Sequence, residues 1–229
     1  DYAIMIDDVN FSETPDNELI LSNPTFGGWW LGYQATGDLG CDYTLYPMKQ
    51  ALAMPYRIEG VVRNSGIQTQ NNITLHVDVD EVSTSNITSL TSSPISLFML
   101  QNDTVATTTN FSPTNMGQYN MSFWATSDSF PTTDTTTFSS IVTDSVYGVD
   151  YDWNSDGANA SGYAFLSRPA CGQGLANVYD IYSNTTLTSI SFHISNQSVP
   201  FAEVTAQLYE ADGQIFISES DVYTLQPSD

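Results

Sequence analysis

Apolar and polar residues alternate along several short stretches of this chain. The clearest stretch is 73–82, where every second position is apolar: Ile73, Leu75, Val77 and Val79. A second stretch follows the turn-like residues 113–117 and repeats the pattern at Tyr119, Met121, Phe123 and Ala125. A period of two is typical of a strand with one buried face. Both stretches therefore predict half-buried β-strands.

Shorter apolar runs bounded by Pro, Gly, Asn or Ser extend this pattern. Before residue 144 they are 3–11, 19–22, 56–63, 97–100 and 138–142. After it they are 146–149, 178–181, 187–194, 204–209, 215–218 and 222–225, with the turn Asp212-Gly213 between two of them. No stretch sustains the 3.6-residue period of an amphipathic helix, and the Thr-rich run 132–137 favours extended backbone. The sequence predicts an all-β fold of tandem β-sandwiches.

The spacing of these runs divides the chain into three parts. Residues 1–44 form a β segment that packs on the first sandwich, and 45–143 form that sandwich, with about seven strands. Residues 144–229 form a second β unit, which is short for the roughly eight strands of a jelly roll. We expect this unit either to be truncated here or to be completed by another chain.

The charge balance narrows the choice of partners. The chain has 4 Lys and Arg against 26 Asp and Glu, for a formal net charge of -22. Such a surface repels nucleic acid and anionic membranes, and no apolar run approaches the roughly 20 residues that span a bilayer. An acidic, Lys-poor surface suits a salty, extracellular setting. No positively charged start followed by an apolar stretch appears at Asp1, so we expect any secretion signal to have been removed or to lie outside this sequence.

The two cysteines, Cys41 and Cys171, match no metal or redox spacing. We expect a disulfide, which would link the N-terminal region to the second unit. In the entropic model a loop of this length adds about 4–5 kcal/mol of stability. The alternative is two separate buried thiols.

Several phrases of the sequence resemble an adhesion-related, immunoglobulin-like module and its junction to a jelly-roll-like module. Both modules occur in large secreted proteins of Bacteroidota. The phrases lie at 46–50, 60–66, 71–79, 111–114 with 117–119, 142–148, 188–192 and 208–213. The resemblance implies an immunoglobulin-like sandwich followed by a jelly-roll-like one, in cargo of the type IX secretion system. The family usually has a basic residue in the junction after Tyr147, where this chain has Val149.

The same resemblance implies O-glycosylation. Three Asp-led tripeptides resemble the modification signal of these bacteria and would carry the sugar on Thr104, Thr135 and Ser145. A pattern this short also arises by chance. Both interpretations stay open.

One acidic segment resembles the opening of a calcium-binding loop. Asp150, Asp152, Asn154 and Asp156 place an oxygen ligand at every second residue, and Gly157 permits a sharp turn. Position twelve of such a loop would be Tyr163 instead of a bidentate Glu, and no helix is predicted beside it. The segment therefore predicts either a calcium site without flanking helices or a solvated acidic turn.

Aromatic residues offer a second kind of site. Trp29, Trp30 and Tyr33 lie in a Gly-rich segment and could stack on a sugar ring, as could Trp124 or Trp153. Core packing is the alternative role for these side chains.

The usual catalytic motifs are missing. There is no Gly-x-Ser-x-Gly elbow, zinc-protease helix or phosphate loop, and His76 and His193 each stand alone on a predicted strand. We therefore predict a non-catalytic protein that is secreted or on the cell surface and mediates adhesion or partner binding. The alternatives are a self-assembling surface or filament subunit that exchanges strands, and a calcium-dependent carbohydrate-binding accessory module. Its partners would be other surface proteins, glycans or copies of itself.

Overall fold

A computed structural model describes residues 13–29, 41–149, 176, 178–192 and 199–226. The chain divides into two compact units, Asp1–Val149 and Asp150–Asp229. Almost every regular element is a strand. The all-β prediction is confirmed.

The first unit holds eleven strands and one short helix in the described part of the chain. They are β1 Leu19–Thr25, β2 Gly28–Trp29, β3 Cys41–Asp42, β4 Leu45–Pro47, α1 Met48–Ala53, β5 Glu59–Asn64, β6 Gln70–Glu81, β7 Asn86–Thr91, β8 Ile95–Leu97, β9 Asn102–Ala106, β10 Gly117–Thr126 and β11 Thr136–Thr143.

These strands form two main sheets around one core. The smaller sheet has the order β1-β5-β9, and the larger has the order β4-β11-β10-β6-β7, with β8 paired to β6. Aromatic contacts join the two sides: Phe26, just after β1, lies 6.2 Å from Tyr56 and 6.4 Å from Phe138 of β11, measured between ring centroids. The unit is therefore a β-sandwich, and β2 pairs with β3 as a separate short ladder.

Strands β6 and β10 are the centre of the larger sheet. They run antiparallel from Tyr119 opposite Glu81 to Thr126 opposite Thr74. Leu75, Val77 and Phe123 are fully buried, as the period of two predicts. The predictions for 73–82 and for the strand beginning near Tyr119 are confirmed.

Helix α1 was not predicted. All six of its residues are good helix formers. The helix is short because Pro55, two positions after its last residue Ala53, cannot continue it. A helix of fewer than two turns is too short to show a 3.6-residue period, so the sequence pattern gives no signal for it.

The predicted strand 97–100 is wrong beyond Leu97. Phe98, Met99 and Leu100 form a turn instead, and Leu100 has a φ of 63°. The amide of Leu100 donates to the carbonyl of Asn64 at 2.9 Å, and the amide of Asn64 donates to that of Gln101 at 2.9 Å. These bonds fold the apolar run back on β5, so its side chains are exposed despite their hydrophobicity.

The second unit contains four short strands in its described residues: β12 Glu203–Val204, β13 Gln207–Glu210, β14 Ile215–Glu219 and β15 Tyr223–Thr224. β12 pairs with β15, and β13 with β14. Gly213, in the predicted Asp212-Gly213 turn, has a φ of 82°, which favours glycine in the hairpin.

Two strand predictions in this unit are wrong. Neither 178–181 nor the described part of 187–194 is a strand. Ile181, Leu187 and Phe192 are exposed. An apolar run forms a strand only when another strand supplies its hydrogen bonds, and a sequence pattern does not specify that partner.

The boundary between the two units lies after Val149, whereas the sequence predicts it before residue 144. Gly148 forms an isolated bridge with Leu45, and their backbone bonds are 2.9 and 3.1 Å long. This bridge holds 144–149 on the first unit in place of the predicted strand 146–149. The three-part division as a whole stays a prediction. Within the described residues, none of the helices is long and apolar enough to span a membrane.

Candidate ligand-binding face

Many residues proposed from the sequence lie outside the described residues. They are Trp30, Tyr33, Asp150, Asp152, Asn154, Asp156, Trp153, Cys171 and His193. The backbones of Trp29 and Cys41 pair in the β2–β3 ladder, but their side chains are not among the described parts of the structure. The calcium loop, the disulfide and the Gly-rich aromatic segment therefore stay predictions.

The three proposed glycosylation sites differ in their surroundings. Thr135 and Ser145 are exposed in loops on either side of β11. Thr104 lies in the middle of β9, is half-buried and pairs with Val61. A sugar on Thr135 or Ser145 would meet open solvent, so these two positions are the more accessible ones.

The described candidate site is the outer face of the larger sheet. Side chains alternate between faces along a strand, so the residues between the buried positions of β6 and β10 point away from the core. The backbone register brings His76 opposite Trp124, and both side chains are half-buried. The amide of Val82 donates to the carbonyl of Gln118 at 3.1 Å, so these two residues form a directly hydrogen-bonded pair. Such pairs recur at every second position of an antiparallel ladder, and His76 and Trp124 form another of them.

The two rings stack on each other. Their centroids are 5.5 Å apart and their planes differ by 7°. The imidazole Nε2 of His76 also lies 2.9 Å from the hydroxyl oxygen of Thr126. These contacts fix both rings in orientation, so the indole stands on the sheet as a rigid apolar surface.

A row of hydrogen-bonded polar side chains continues from the rings across the face. The Ser89 hydroxyl donates to Asp78 Oδ1 at 2.6 Å, and the Ser122 and Thr137 hydroxyls lie 2.9 Å apart. Further along β10, Asn120 Oδ1 accepts bonds from the Ser139 hydroxyl and Gln118 Nε2, at 2.8 and 2.9 Å. The face thus offers hydroxyl, amide and carboxylate groups next to one aromatic pair.

This arrangement has the chemistry of a surface for polyhydroxylated ligands. A flat indole binds the apolar side of a ring, and neighbouring hydroxyl and amide groups exchange hydrogen bonds with its edge. Asp78 and Asp80 give the face a negative charge, and its strands β6, β7, β10 and β11 contain neither Lys nor Arg. The face is therefore suited to neutral or cationic ligands.

A second cluster of titratable groups lies at the β2–β3 ladder. The carboxylate of Asp42 accepts hydrogen bonds from the Thr25 hydroxyl and from the amides of Phe26 and Gly27, the latter two at 3.2 Å. Burial, with a smaller contribution from nearby Glu59, raises the pKa of Asp42 to about 6, although these three bonds oppose the shift.

Glu59 is the other buried acid of this cluster. Burial raises the pKa of Glu59, and Arg57 opposes that shift through an ion pair of 3.3 Å. The hydrogen bonds of Asp42 tie the end of β1 to the β2–β3 ladder, so we interpret the cluster as a structural clamp.

Sequence reasoning found the parts of the outer face but not their arrangement. The sequence indicates Trp124 as one of several stacking candidates and His76 as a solitary strand histidine. Both occupy even-numbered positions of alternating strands, which was the available signal that they point outward. Their contact depends on the register between two strands that are distant in sequence, which local alternation does not specify.

No protein-family profile matches this chain, and no curated protein matches it. Among solved structures it is similar to a CARDB domain from Pyrococcus furiosus, solved in complex with di-metal ions, at 12% identity and a TM-score of 0.36; the match covers 61% of this chain and 100% of that domain. It is also similar to a β-glucosidase from Erythrobacter marinus (8% identity, TM-score 0.36) and to a family 123 glycoside hydrolase from Clostridium perfringens (13%, 0.36). Both of these matches cover 56% of this chain, and 16% and 28% of the two enzyme chains. Likenesses this weak identify neither a family nor a function.

Proposed function

We propose that this chain is a non-catalytic binding module of a secreted or cell-surface protein, and that it mediates adhesion by holding a saccharide on the outer face of its larger sheet. The observation that carries the proposal is the Trp124–His76 pair, which stands in a row of hydroxyl and amide side chains. The side chains on this face are half-buried or exposed, while those on the opposite face of the same strands form the core.

The distribution of charge supports this role. Carboxylates are spread over the chain, and the net charge of -22 keeps copies apart in solution. A neutral saccharide meets no repulsion from such a surface, whereas an anionic ligand does. The proposal therefore favours neutral or amino sugars over sulfated or sialylated ones.

The test is binding of the full chain to an immobilised glycan array, with calcium and then with a chelator. We expect binding to neutral glycans, and we expect Trp124→Ala to abolish it while the fold is retained. Phe98→Ala is the matched control, because Phe98 is an aromatic residue with 67% of its surface exposed, on a turn that is hydrogen-bonded to β5 of the smaller sheet. Loss of binding only in chelator would assign a role to Asp150, Asp152, Asn154 and Asp156. Equal binding by Trp124→Ala and the unmodified chain would contradict the proposal.

A second candidate function is self-assembly into a surface layer or filament. The observation in its favour is β14, where Ile215, Phe216 and Ile217 are exposed by 57, 51 and 56%. Consecutive residues point to opposite faces of a strand, so both faces of β14 are apolar and open in the described structure. Light scattering and electron microscopy on the chain and on Phe216→Ser would test it: oligomers that the variant loses support assembly, and a monomer at high concentration contradicts it.

A further inference from the structure

A groove runs along the outer edge of the larger sheet, on a different side of the first unit from the Trp124 face. Its volume is about 580 Å³, and it lies between β7 and the segment Thr109–Thr114. Four largely buried side chains form its floor: Val79, Leu90, Phe111 and Tyr119. The groove is thus apolar at its base and follows the direction of a strand.

Strand β7 is the last strand of this sheet, so one side of its backbone faces the groove. The amide of Ser92 donates to the carbonyl of Leu75 at 3.0 Å, which places the hydrogen-bonding groups of Leu90, Thr88 and Asn86 toward β6. The groups of Thr91, Ser89 and Ile87 then point outward. Thr108 donates to the carbonyl of Thr91 at 2.9 Å and closes that end.

The rest of the edge is open. Within the described residues, the outward amide and carbonyl groups of Ile87 and Ser89 form no backbone hydrogen bond. Open amide and carbonyl groups on an edge strand pair readily with an extended segment from another chain. The edge and the apolar groove beside it therefore have the form of a site for an added strand.

The charges beside the edge specify what kind of strand fits. Glu81, with 5% of its surface exposed, lines the groove and accepts hydrogen bonds from Asn115 Nδ2 at 2.8 Å and the Ser83 hydroxyl at 3.2 Å. Asp80 and Asp78 lie opposite Ile87 and Ser89 on β6 and point to the outer face. No Lys or Arg lines the groove.

We propose that this edge binds an extended segment of a partner protein in which apolar and basic residues alternate. The segment adds to the sheet beside β7, and its backbone pairs with Ile87 and Ser89. Its apolar side chains enter the groove over Leu90 and Phe111, and its basic side chains reach Asp78 and Asp80 on the outer face. A second copy of this chain fits poorly, because it has 4 basic residues in 229 and a net charge of -22. This interaction does not involve His76 or Trp124, but it shares Ser89, Asp78 and Asp80 with the face that we propose for saccharides.

The probe is a labelled synthetic peptide of seven residues that alternates Lys and Val, capped at both ends. We expect it to bind the full chain in fluorescence anisotropy, and to bind more weakly as salt is raised. The matched peptide that alternates Glu and Val should not bind. A Lys-Val peptide with N-methyl groups on alternate amides should bind at least about tenfold more weakly, because it lacks the donors that pair with β7.

Variants of the chain locate the site. Ile87→Pro removes an outward amide without removing a bond to β6, and should weaken peptide binding about tenfold. Ile87→Thr keeps that amide and is its matched control. Asp80→Asn should weaken binding several-fold, whereas Asp134→Asn, which removes an exposed carboxylate from the loop before β11, should not.

Three results would overturn the proposal. The first is equal binding of the Lys-Val and Glu-Val peptides. The second is equal binding of the normal and N-methylated peptides by the unmodified chain, a measurement that does not depend on the folding of any variant. The third is a dimer in solution that Ile87→Pro converts to a monomer, since the occupant of the edge would then be a second copy.

Discussion

The two faces of β6 and β10 share one backbone and differ in almost everything else. On the inner face Leu75, Val77 and Phe123 are fully buried against the smaller sheet. On the outer face His76 and Trp124 alternate with these residues among polar groups that remain in solvent. Residues of the core and residues of the proposed binding face are therefore next to each other along the chain. Substitutions on the inner face should therefore lower stability, whereas substitutions on the outer face should weaken ligand binding and leave stability nearly unchanged.

The largest expected effect comes from Phe123, whose ring packs edge-to-face on Phe138 at 6.0 Å. Phe123→Ala should lower the free energy of unfolding by about 3–5 kcal/mol, because it leaves a cavity in the core. Its neighbour in sequence, Trp124, faces solvent, and Trp124→Ala should cost no more than about 1 kcal/mol. Urea unfolding of the two variants measures the difference. Equal losses would mean that the outer face is as structural as the inner one.

The next effect is electrostatic and concerns Asp42 at the end of the sandwich. The folded state raises the pKa of this carboxyl to about 6, from an ordinary value of 3.8. The folded protein therefore keeps a proton that the unfolded chain has lost, and stability falls as the pH rises from about 4 to about 6 and is then constant.

Asp42→Asn should remove this fall, because an amide oxygen still accepts bonds from Thr25, Phe26 and Gly27 without a charge. At pH 7 the variant should be more stable by on the order of 2 kcal/mol, since one pKa unit corresponds to about 1.4 kcal/mol. Thermal melts of both proteins between pH 4 and 8 give the difference curve, with Asp134→Asn as the surface control. If the difference in stability between the two proteins does not change with pH, the raised pKa of Asp42 is contradicted.

A smaller effect should follow from Ser140, a buried residue of β11 on the inner face. Its hydroxyl lies 2.9 Å from the Tyr56 hydroxyl and donates to the carbonyl of Tyr43 at 3.0 Å. Ser140→Ala takes a partner from the Tyr56 hydroxyl, which is buried, and should cost about 1–2 kcal/mol of unfolding free energy in urea. Tyr56→Phe in the same background should recover part of this loss, because it removes the group left unsatisfied. If Ser140→Ala leaves the free energy of unfolding unchanged, the buried hydroxyl pair contributes nothing to stability.

The same contrast explains how much of the fold the sequence predicts. β6 and β10 were predicted because their alternation runs over many residues and each has several buried positions. β7 was missed because Leu90 is the only one of its six residues that is buried, and β9 because Val105 is the only one of five. An edge strand needs little apolar surface, so its sequence carries little signal.

The candidate site was less predictable than the core. Buried positions recur with a regular period in the sequence, whereas the outer face has mostly polar residues, with Trp124 among them, in no fixed order. The contact between His76 and Trp124 and the open edge at Ile87 both depend on which strand lies beside which. That order is a property of the whole sheet, and it became visible only in the structure.

Ser122 on the outer face is the counterpart of Ser140 on the inner face. Ser122 of β10 has its hydroxyl 2.9 Å from that of Thr137, much as Ser140 has its hydroxyl 2.9 Å from that of Tyr56. Both substitutions to Ala delete one oxygen, but water can replace the lost partner only on the outer face. Ser122→Ala should therefore change the free energy of unfolding by less than about 0.5 kcal/mol. Glycan binding should weaken instead, because this hydroxyl lies in the row beside Trp124. A loss of stability as large as that of Ser140→Ala, with glycan binding unchanged, would show that the outer hydroxyls hold the sheet together and are not a binding surface.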